Sequence, residues 1–180
     1  NSDEIYALND IDASPIIALD KIISVNSDGL MVASDIFTGA RAWERKFSGS
    51  QTPWSAGDFL FVLTADSQLA AIHAETGGIK WVTQLPAYTN AKSKRGEISW
   101  VGPVVGGGNI IVAGNHGKLL FIEPKTGEIK NVHTIPKPVY VAPVVAHDTI
   151  YLYTNDAELV ALKGKITSAE NTQLQSSDKL

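Results

Sequence analysis

A proline followed 23 residues later by a Thr-Gly pair occurs three times in this chain, and this spacing constrains the fold most strongly. The three copies begin at Pro15, Pro53 and Pro103, and a fourth begins at Pro143 but loses its Thr-Gly pair. The pairs themselves are Thr38 and Gly39, Thr76 and Gly77, and Thr126 and Gly127. Successive prolines lie 38, 50 and 40 residues apart. A period of about 40 residues is typical of propeller blades, which must stack on one another to bury both faces.

Within each copy, short apolar runs alternate with turn residues, a pattern that predicts strands rather than helices. In the second copy the runs are residues 59–63, 68–73 and 79–82, and Asp, Ser, Thr and Gly lie between them. We therefore predict an all-β fold, a β-propeller of about four blades with four antiparallel strands each. Each repeat proline should open the innermost strand of its blade, where a missing N–H is tolerated.

The repeats also predict the domain organisation. A strand and linker, residues 1–12, precede propeller blades at 13–50, 51–100 and 101–140 and an incomplete blade at 141–163. The longer second spacing implies an insertion at residues 87–100. Residues 164–180 are rich in Ser, Gln, Asn and Asp, which predicts a solvated polar tail.

Composition and charge exclude several function classes. The net charge of −4 argues against a nucleic-acid partner, whose phosphates favour a basic face. The chain has no cysteine, which excludes disulfides and thiolate metal sites. It has no apolar run of transmembrane length, and it opens without an initiator Met or a signal peptide, so a processed or truncated chain is expected.

Candidate catalytic and ligand-binding residues are few. The four histidines share no metal-ligand spacing and are expected at turns and surfaces: His73, His116, His133 and His147. The glycine run at residues 106–108 lies where the other copies have the turn between their first two strands, so we do not expect a phosphate cradle there. We predict no catalytic, cofactor or metal site.

One stretch carries a specific family signature. Residues 33–43 resemble the Ala-x-Asp-x-x-Thr-Gly-x-x-x-Trp signature of quinoprotein-type, or PQQ-like, propeller repeats, and residues 73–81 and 123–131 are variant copies. The resemblance implies that Trp43 and Trp81 dock between adjacent blades and that the three Thr-Gly turns join the two outer strands. Both indoles are expected to be largely buried, with the N–H bonded to a backbone carbonyl.

The match is closer still for residues 51–63 and 98–103, which are similar to alphaproteobacterial members of the BamB family. These are lipoprotein propellers of the outer-membrane β-barrel assembly machinery, with eight blades and a last blade completed by an N-terminal strand. The resemblance covers about residues 10–163 and implies the C-terminal half of such a propeller. The lipidated N-terminal cysteine of the family has no counterpart here.

The resemblance implies a non-catalytic periplasmic scaffold at the inner face of the outer membrane, anchored there in the full-length protein. It would bind the periplasmic domains of BamA and nascent outer-membrane proteins, with strand addition as one mode. Two alternatives stay open: a fragment of a PQQ-dependent dehydrogenase, or a generic periplasmic protein-interaction propeller. The dehydrogenase alternative is weakened because those enzymes use a vicinal disulfide, and this chain has no cysteine.

The insertion allows two interpretations. Lys92, Lys94 and Arg95, flanked by Tyr88 and Trp100, form a partner-contact loop in the first, since interfaces favour aromatic residues and arginine. In the second, the loop is simply solvated and its aromatic ends are buried in blades.

The ends of a four-bladed arc predict a further property. Two blade faces lack a neighbour, and the incomplete fourth copy leaves a strand edge unpaired. Residues 4–8 could pair with an edge, the tail 164–180 could cover one, or two chains could associate as a four-plus-four ring. We favour self-association, because one strand cannot cover both faces.

Overall fold

A computed structural model describes residues 13–26, 29–47, 49 and 51–163. The described part of the chain contains strands, turns and no helix, which confirms the predicted all-β class. Residues 4–8 and the tail 164–180, whose pairing and covering roles were considered above, lie outside the described residues.

Four antiparallel sheets follow one another along the chain, each with its strands in sequence order. Blade 1 contains β1 (Ile16–Ala18), β2 (Lys21–Val25), β3 (Leu30–Asp35) and β4 (Arg41–Lys46). Blade 2 contains β5 (Trp54–Ala56), β6 (Phe59–Leu63), β7 (Gln68–His73) and β8 (Ile79–Gln84). A separate hairpin follows, made of β9 (Tyr88–Asn90) and β10 (Arg95–Glu97). Blade 3 contains β11 (Trp100–Gly106), β12 (Asn109–Gly114), β13 (Lys118–Ile122) and β14 (Ile129–Thr134). Blade 4 has three described strands, β15 (Val144–Ala146), β16 (Thr149–Tyr153) and β17 (Leu159–Lys163).

Blade 2 shows why its strands are apolar on both faces. Leu60 and Val62 pack against blade 1, while Phe61 and Leu63, one residue out of phase, pack against blade 3. Side chains alternate between faces with a period of two, so a strand covered on both faces must be apolar throughout. The continuous run Phe59–Leu63 is therefore the sequence signature of an interior blade.

The first strands of successive blades contact one another, β1 with β5, β5 with β11 and β11 with β15. This order places them on the inner side of the arc. Pro15, Pro53 and Pro143 each precede such a strand directly, as predicted.

Pro103 differs from the other repeat prolines, and the prediction that it opens its strand is wrong. It lies inside β11, where the register with β12 shifts between Val101 and Val104. The strand begins earlier because Trp100 and Val101, at the end of the insertion, pair with Gly114 and Ala113. The proline is tolerated there because a bulge does not need its missing N–H.

Both ends of the arc present apolar residues to solvent. Blade 1 exposes Ile17 and Ile22, which are cross-strand partners and are 64% and 38% exposed. Blade 4 exposes Val144, Tyr153 and Leu159, at 61%, 51% and 68%. Within the described residues, no helix is long and apolar enough to cross a membrane.

Candidate partner-binding surface

The insertion at residues 87–100 folds as a short β-hairpin rather than an irregular loop. Arg95 pairs with Asn90, and Glu97 pairs with Tyr88. At the tip, the Ser93 N–H donates to Asn90 Oδ1 at 3.1 Å. Gly96, at φ +68°, lies against Thr89, and a Cβ there would be 2.1 Å from the Thr89 hydroxyl oxygen. Both the positive φ and the close Thr89 side chain therefore favour glycine at this position.

The base of the hairpin is fixed to blades 2 and 3. The buried Trp100 donates its indole N–H to the Pro86 carbonyl at 2.8 Å, and the Ile98 N–H donates to the Ala87 carbonyl at 2.8 Å. The Trp100 ring packs between the two blades and meets His116 edge-on, with ring centroids 5.0 Å apart. With its side chain only 5% exposed, Trp100 anchors the hairpin to the two blades.

The exposed part of the hairpin is positively charged. Lys92, Lys94 and Arg95 are all exposed, and none of them forms an ion pair within the described residues. Glu97 is the one acidic residue between Tyr88 and the end of the hairpin. The chain as a whole carries −4, so the hairpin is a local reversal of charge, and Tyr88 lies half-buried at its base. Such a patch suits electrostatic recognition of an acidic surface.

A polar groove of about 350 Å³ lies beside the hairpin base. Four segments form it: the connection between blades 1 and 2, the β6–β7 turn, the base of the hairpin, and the β12–β13 turn. Its lining residues are Gly49, Gln51, Thr64, Ala65, Ser67, Glu97, Ile98, Ser99, Trp100 and Asn115. The hairpin and the groove thus form one continuous surface on one face of the arc.

The signature tryptophans contact the blade that follows their own. Trp43 is 8% exposed and donates its indole N–H to the Ala74 carbonyl of blade 2 at 2.9 Å. Trp81 donates to the Pro124 carbonyl of blade 3 at 3.0 Å but is only half-buried, less than the sequence led us to expect. Its Phe61 neighbour stacks on it at 6.1 Å.

The three Thr-Gly turns share one geometry, and those of blades 2 and 3 receive these rings. Each threonine hydroxyl accepts the N–H of the residue two positions later, at 3.2 Å for Thr38, 3.2 Å for Thr76 and 3.3 Å for Thr126. The glycines have positive φ, from +68° at Gly77 to +75° at Gly127. That conformation favours glycine, whose missing side chain also leaves room for the ring.

The histidines lie apart from one another. His73 and His133 are exposed, and His147 lies in the β15–β16 turn. His116 lies in the β12–β13 turn, where its Nδ1 is buried and has no hydrogen-bond partner within the described structure. Burial, together with nearby Lys118, lowers the pKa of His116. In the part of the chain that the structure describes, no group of three or more His, Cys, Asp or Glu could hold a metal ion.

Known proteins match this chain along most of its length. The family described as outer membrane protein assembly factor BamB matches residues 1–83 and 89–177. A curated relative, the outer membrane protein assembly factor BamB of Moranella endobia, is 21% identical over 159 residues, covering 88% of this chain and 39% of the relative. The chain therefore spans about two-fifths of the length of that relative.

Solved structures share the fold. The crystal structure of BamB from Moraxella catarrhalis superposes with a TM-score of 0.73 at 17% identity, covering 86% of this chain and 44% of that one. Quinohemoprotein alcohol dehydrogenase from Comamonas testosteroni has a TM-score of 0.63 at 16% identity, covering 81% and 29%. At these identities the likeness establishes the propeller fold and not a shared activity. Because the family match covers nearly the whole sequence, this chain belongs to the outer membrane protein assembly factor BamB family of PQQ-like repeat propellers.

Proposed function

We propose that this chain is a non-catalytic periplasmic scaffold in outer-membrane protein assembly, located at the inner face of the outer membrane. Its relatives are described as outer membrane protein assembly factors. We further propose that it binds the periplasmic domains of BamA, and that the β9–β10 hairpin makes the contact.

One observation carries this proposal. The hairpin is an insertion that the other repeats lack, and Trp100 and Ile98 fix its base to the blades. Its exposed residues Lys92, Lys94 and Arg95 have no ion-pair partner in the described structure. A fixed element with unpaired cations costs little to order on binding and gives an acidic partner a defined target.

The adjoining groove supplies a second contact. Its polar lining, which includes Gln51, Ser67 and Asn115, can hydrogen-bond an extended backbone or polar side chains. The hairpin would then steer the partner by charge while the groove holds a segment of it. Nascent outer-membrane proteins could use the same surface through their unpaired strand edges.

The experiment measures binding of the chain to purified BamA periplasmic domains by surface plasmon resonance. The variant K92A/K94A/R95A should bind about tenfold more weakly, mainly through a lower association rate and a weaker salt dependence. A matched control, K46A/K125A/K163A, removes three exposed lysines from the outer turn and strands and should bind as the parent does.

Equal loss in both triple variants would mean that net charge, not the hairpin, determines binding. Absence of binding by the parent chain would favour a generic interaction propeller with another partner.

A further inference from the structure

One turn of blade 3 differs from the matching turns of the other blades. In the β6–β7 turn the Ser67 N–H donates to the Thr64 carbonyl at 3.2 Å, and in the β12–β13 turn the Gly117 N–H donates to the Gly114 carbonyl at 3.0 Å. The residue before this donor is aspartate in the other three repeats, at positions 28, 66 and 156, but it is His116 in blade 3. Blade 3 therefore has a group that titrates near neutral pH where the other repeats have a carboxylate.

A second difference makes room for the histidine. The first residue of the turn is asparagine or threonine in the other blades, and its side chain accepts the N–H of the residue four positions later, as Thr64 does from Gln68 at 3.0 Å. Blade 3 has Gly114 there, and a Cβ at Gly114 would lie 2.5 Å from His116 Nδ1 and 3.1 Å from the Trp100 ring. The glycine thus allows the imidazole to pack against the ring that anchors the hairpin.

The β12–β13 turn holds the base of the hairpin through three contacts. The His116 ring meets the Trp100 ring edge-on, with centroids 5.0 Å apart. The Asn115 N–H donates to the Ser99 carbonyl at 3.0 Å, and the Asn115 side-chain amide donates to the Glu97 carbonyl at 3.4 Å. All of these residues except His116 also line the polar groove, so a movement of this turn changes the hairpin and the groove together.

Protonation of His116 works against this packing. Its Nδ1 is buried and has no hydrogen-bond partner within the described structure. A neutral imidazole can leave a lone pair at Nδ1, whereas a protonated one places an N–H there, and a buried N–H without an acceptor is costly. Burial, and to a smaller extent the charge of Lys118, accordingly lowers the pKa of His116. Turning the ring out to solvent avoids this cost but breaks the contact with Trp100.

The charged groups on the neighbouring elements do not reverse this effect. Lys118 on β13 opposes protonation, and its ammonium donates to Thr134 on β14 at 2.8 Å. His133, also on β14, is exposed. The nearby carboxylates are those of Glu97 on the hairpin and Asp66 in the β6–β7 turn, and both residues are exposed, so water screens their attraction for a cation. The described structure shows no ion pair between His116 and either carboxylate.

We propose that the β12–β13 turn positions the hairpin for its partner and that protonation of His116 releases it, so that acid weakens binding through the hairpin and groove. This inference rests on the proposed partner surface. Above about pH 6.5 the neutral ring stays against Trp100 and the hairpin is held. As the pH falls below 6.5 the ring gains a proton and turns out, and the bonds from Asn115 to the hairpin loosen. Because only the held arrangement binds, the affinity falls in proportion to the held fraction.

Hydrogen exchange and histidine NMR on the chain alone test the release. The N–H groups of Ile98 and Asn115 report on the hairpin base, and that of Ala74, bonded to Asp58 in blade 2, is the reference. From pH 7.5 to 5 the protection of the first two, corrected for the intrinsic exchange rate, should fall at least about fivefold. The fall should follow the titration of the His116 ring signals, and Ala74 should keep its protection.

His116→Phe is the decisive variant, because phenylalanine keeps an aromatic edge against Trp100 and has no proton to gain. Its hairpin protection should not change with pH, while the matched control His133→Asn should behave as the parent does. Constant protection in the parent, or an equal fall in the parent and His116→Phe, would overturn the proposal. If His116→Phe fails to fold, the parent decides: a fall in protection that does not follow the His116 titration has the same consequence.

Binding to purified BamA periplasmic domains tests the regulation. From pH 7.5 to 5 the affinity of the parent should fall at least about threefold more than that of His116→Phe, since both variants share every effect of pH on the partner. Equal falls would show that His116 does not control binding. If neither chain binds these domains at either pH, the proposed function fails, and the exchange measurements still decide whether His116 releases the hairpin.

Discussion

The two docking tryptophans differ in burial, and this difference predicts unequal contributions to stability. Trp43→Ala removes a buried ring from the interface between blades 1 and 2 and leaves the Ala74 carbonyl unpaired. We expect a loss of about 3–5 kcal/mol in the free energy of unfolding. The loss for Trp81→Ala should lie at the low end of this range, about 3 kcal/mol, because Trp81 is half-buried.

Urea denaturation measures both losses. Trp54→Ala is the control: Trp54 is 38% exposed and its loss should cost about 1 kcal/mol. A cost below about 1 kcal/mol for Trp43→Ala would show that this residue does not hold the blades together.

His116 predicts a specific pH dependence of stability. Burial holds the pKa of His116 below its ordinary value of 6.5, so the folded chain binds fewer protons than the unfolded chain just below that pH. The contribution of neutral His116 to the free energy of unfolding is complete above pH 6.5, and it is lost as the pH falls from 6.5 through the pKa of His116 in the folded chain. The stability advantage of the parent over His116→Asn should therefore shrink between pH 7.5 and about 5.

The measurement is the free energy of unfolding at several pH values for the parent, His116→Asn and His133→Asn. His133 is exposed on β14 and serves as the control for loss of a histidine. If the free energy of unfolding changed with pH equally in the parent and in His116→Asn between pH 7.5 and about 5, the prediction would be contradicted.

Among the structural elements, the β9–β10 hairpin shows what the sequence could and could not predict. The repeat spacing located the insertion, because blades of fixed length leave a surplus of residues between them. It did not predict the strand pairing, since residues 88–97 are polar and lack the apolar alternation that identifies strands. The fit of Gly96 against Thr89 is a contact in space with no periodic signal.

Trp100 and Pro103 show the same limit at the end of the insertion. The sequence left open whether Trp100 contacts another protein or is buried. In the structure Trp100 is buried, and its indole N–H donates to the Pro86 carbonyl, 14 residues away in the sequence. The repeat placed Pro103 at a strand start, but pairing of Trp100 and Val101 with β12 extends the strand beyond it. The apolar runs of blades 2 and 3, in contrast, were predicted correctly because both faces of an interior blade are covered.

The hairpin should be dispensable for folding. Replacing residues 89–96 with Asn-Gly closes the chain at the Tyr88–Glu97 pair with a two-residue turn suited to a hairpin. We expect the free energy of unfolding to change by less than about 1 kcal/mol, because the removed residues are all exposed. Binding to BamA periplasmic domains should fall at least as far as in the triple charge variant.

Trp100→Ala is the contrasting variant, since it removes the buried anchor and should cost about 3–5 kcal/mol. If removing the hairpin lowered the free energy of unfolding by more than about 2 kcal/mol, its role would be to stabilise blades 2 and 3 rather than to bind a partner.

At the scale of the whole molecule, apolar sheet faces pack together at each interface between blades, whereas the two end faces have no such neighbour among the described residues. Inside the arc, each apolar sheet face packs on its neighbour, as Leu60 and Ile72 of blade 2 do on Ile23 of blade 1. The end faces carry side chains of the same kind, Ile17 and Ile22 on blade 1, and Val144 and Leu159 on blade 4.

These two end faces predict self-association of the isolated chain. Burying exposed apolar residues is favourable by roughly 25 cal/mol per Å², so pairing of blade 1 in one copy with blade 4 in another stabilises a dimer. We expect sedimentation equilibrium at tens of micromolar to report about twice the monomer mass. Ile22→Lys combined with Leu159→Lys should return the chain to the monomer, while Lys46→Ala should not. A parent chain that stays monomeric would mean that its end faces do not associate under these conditions.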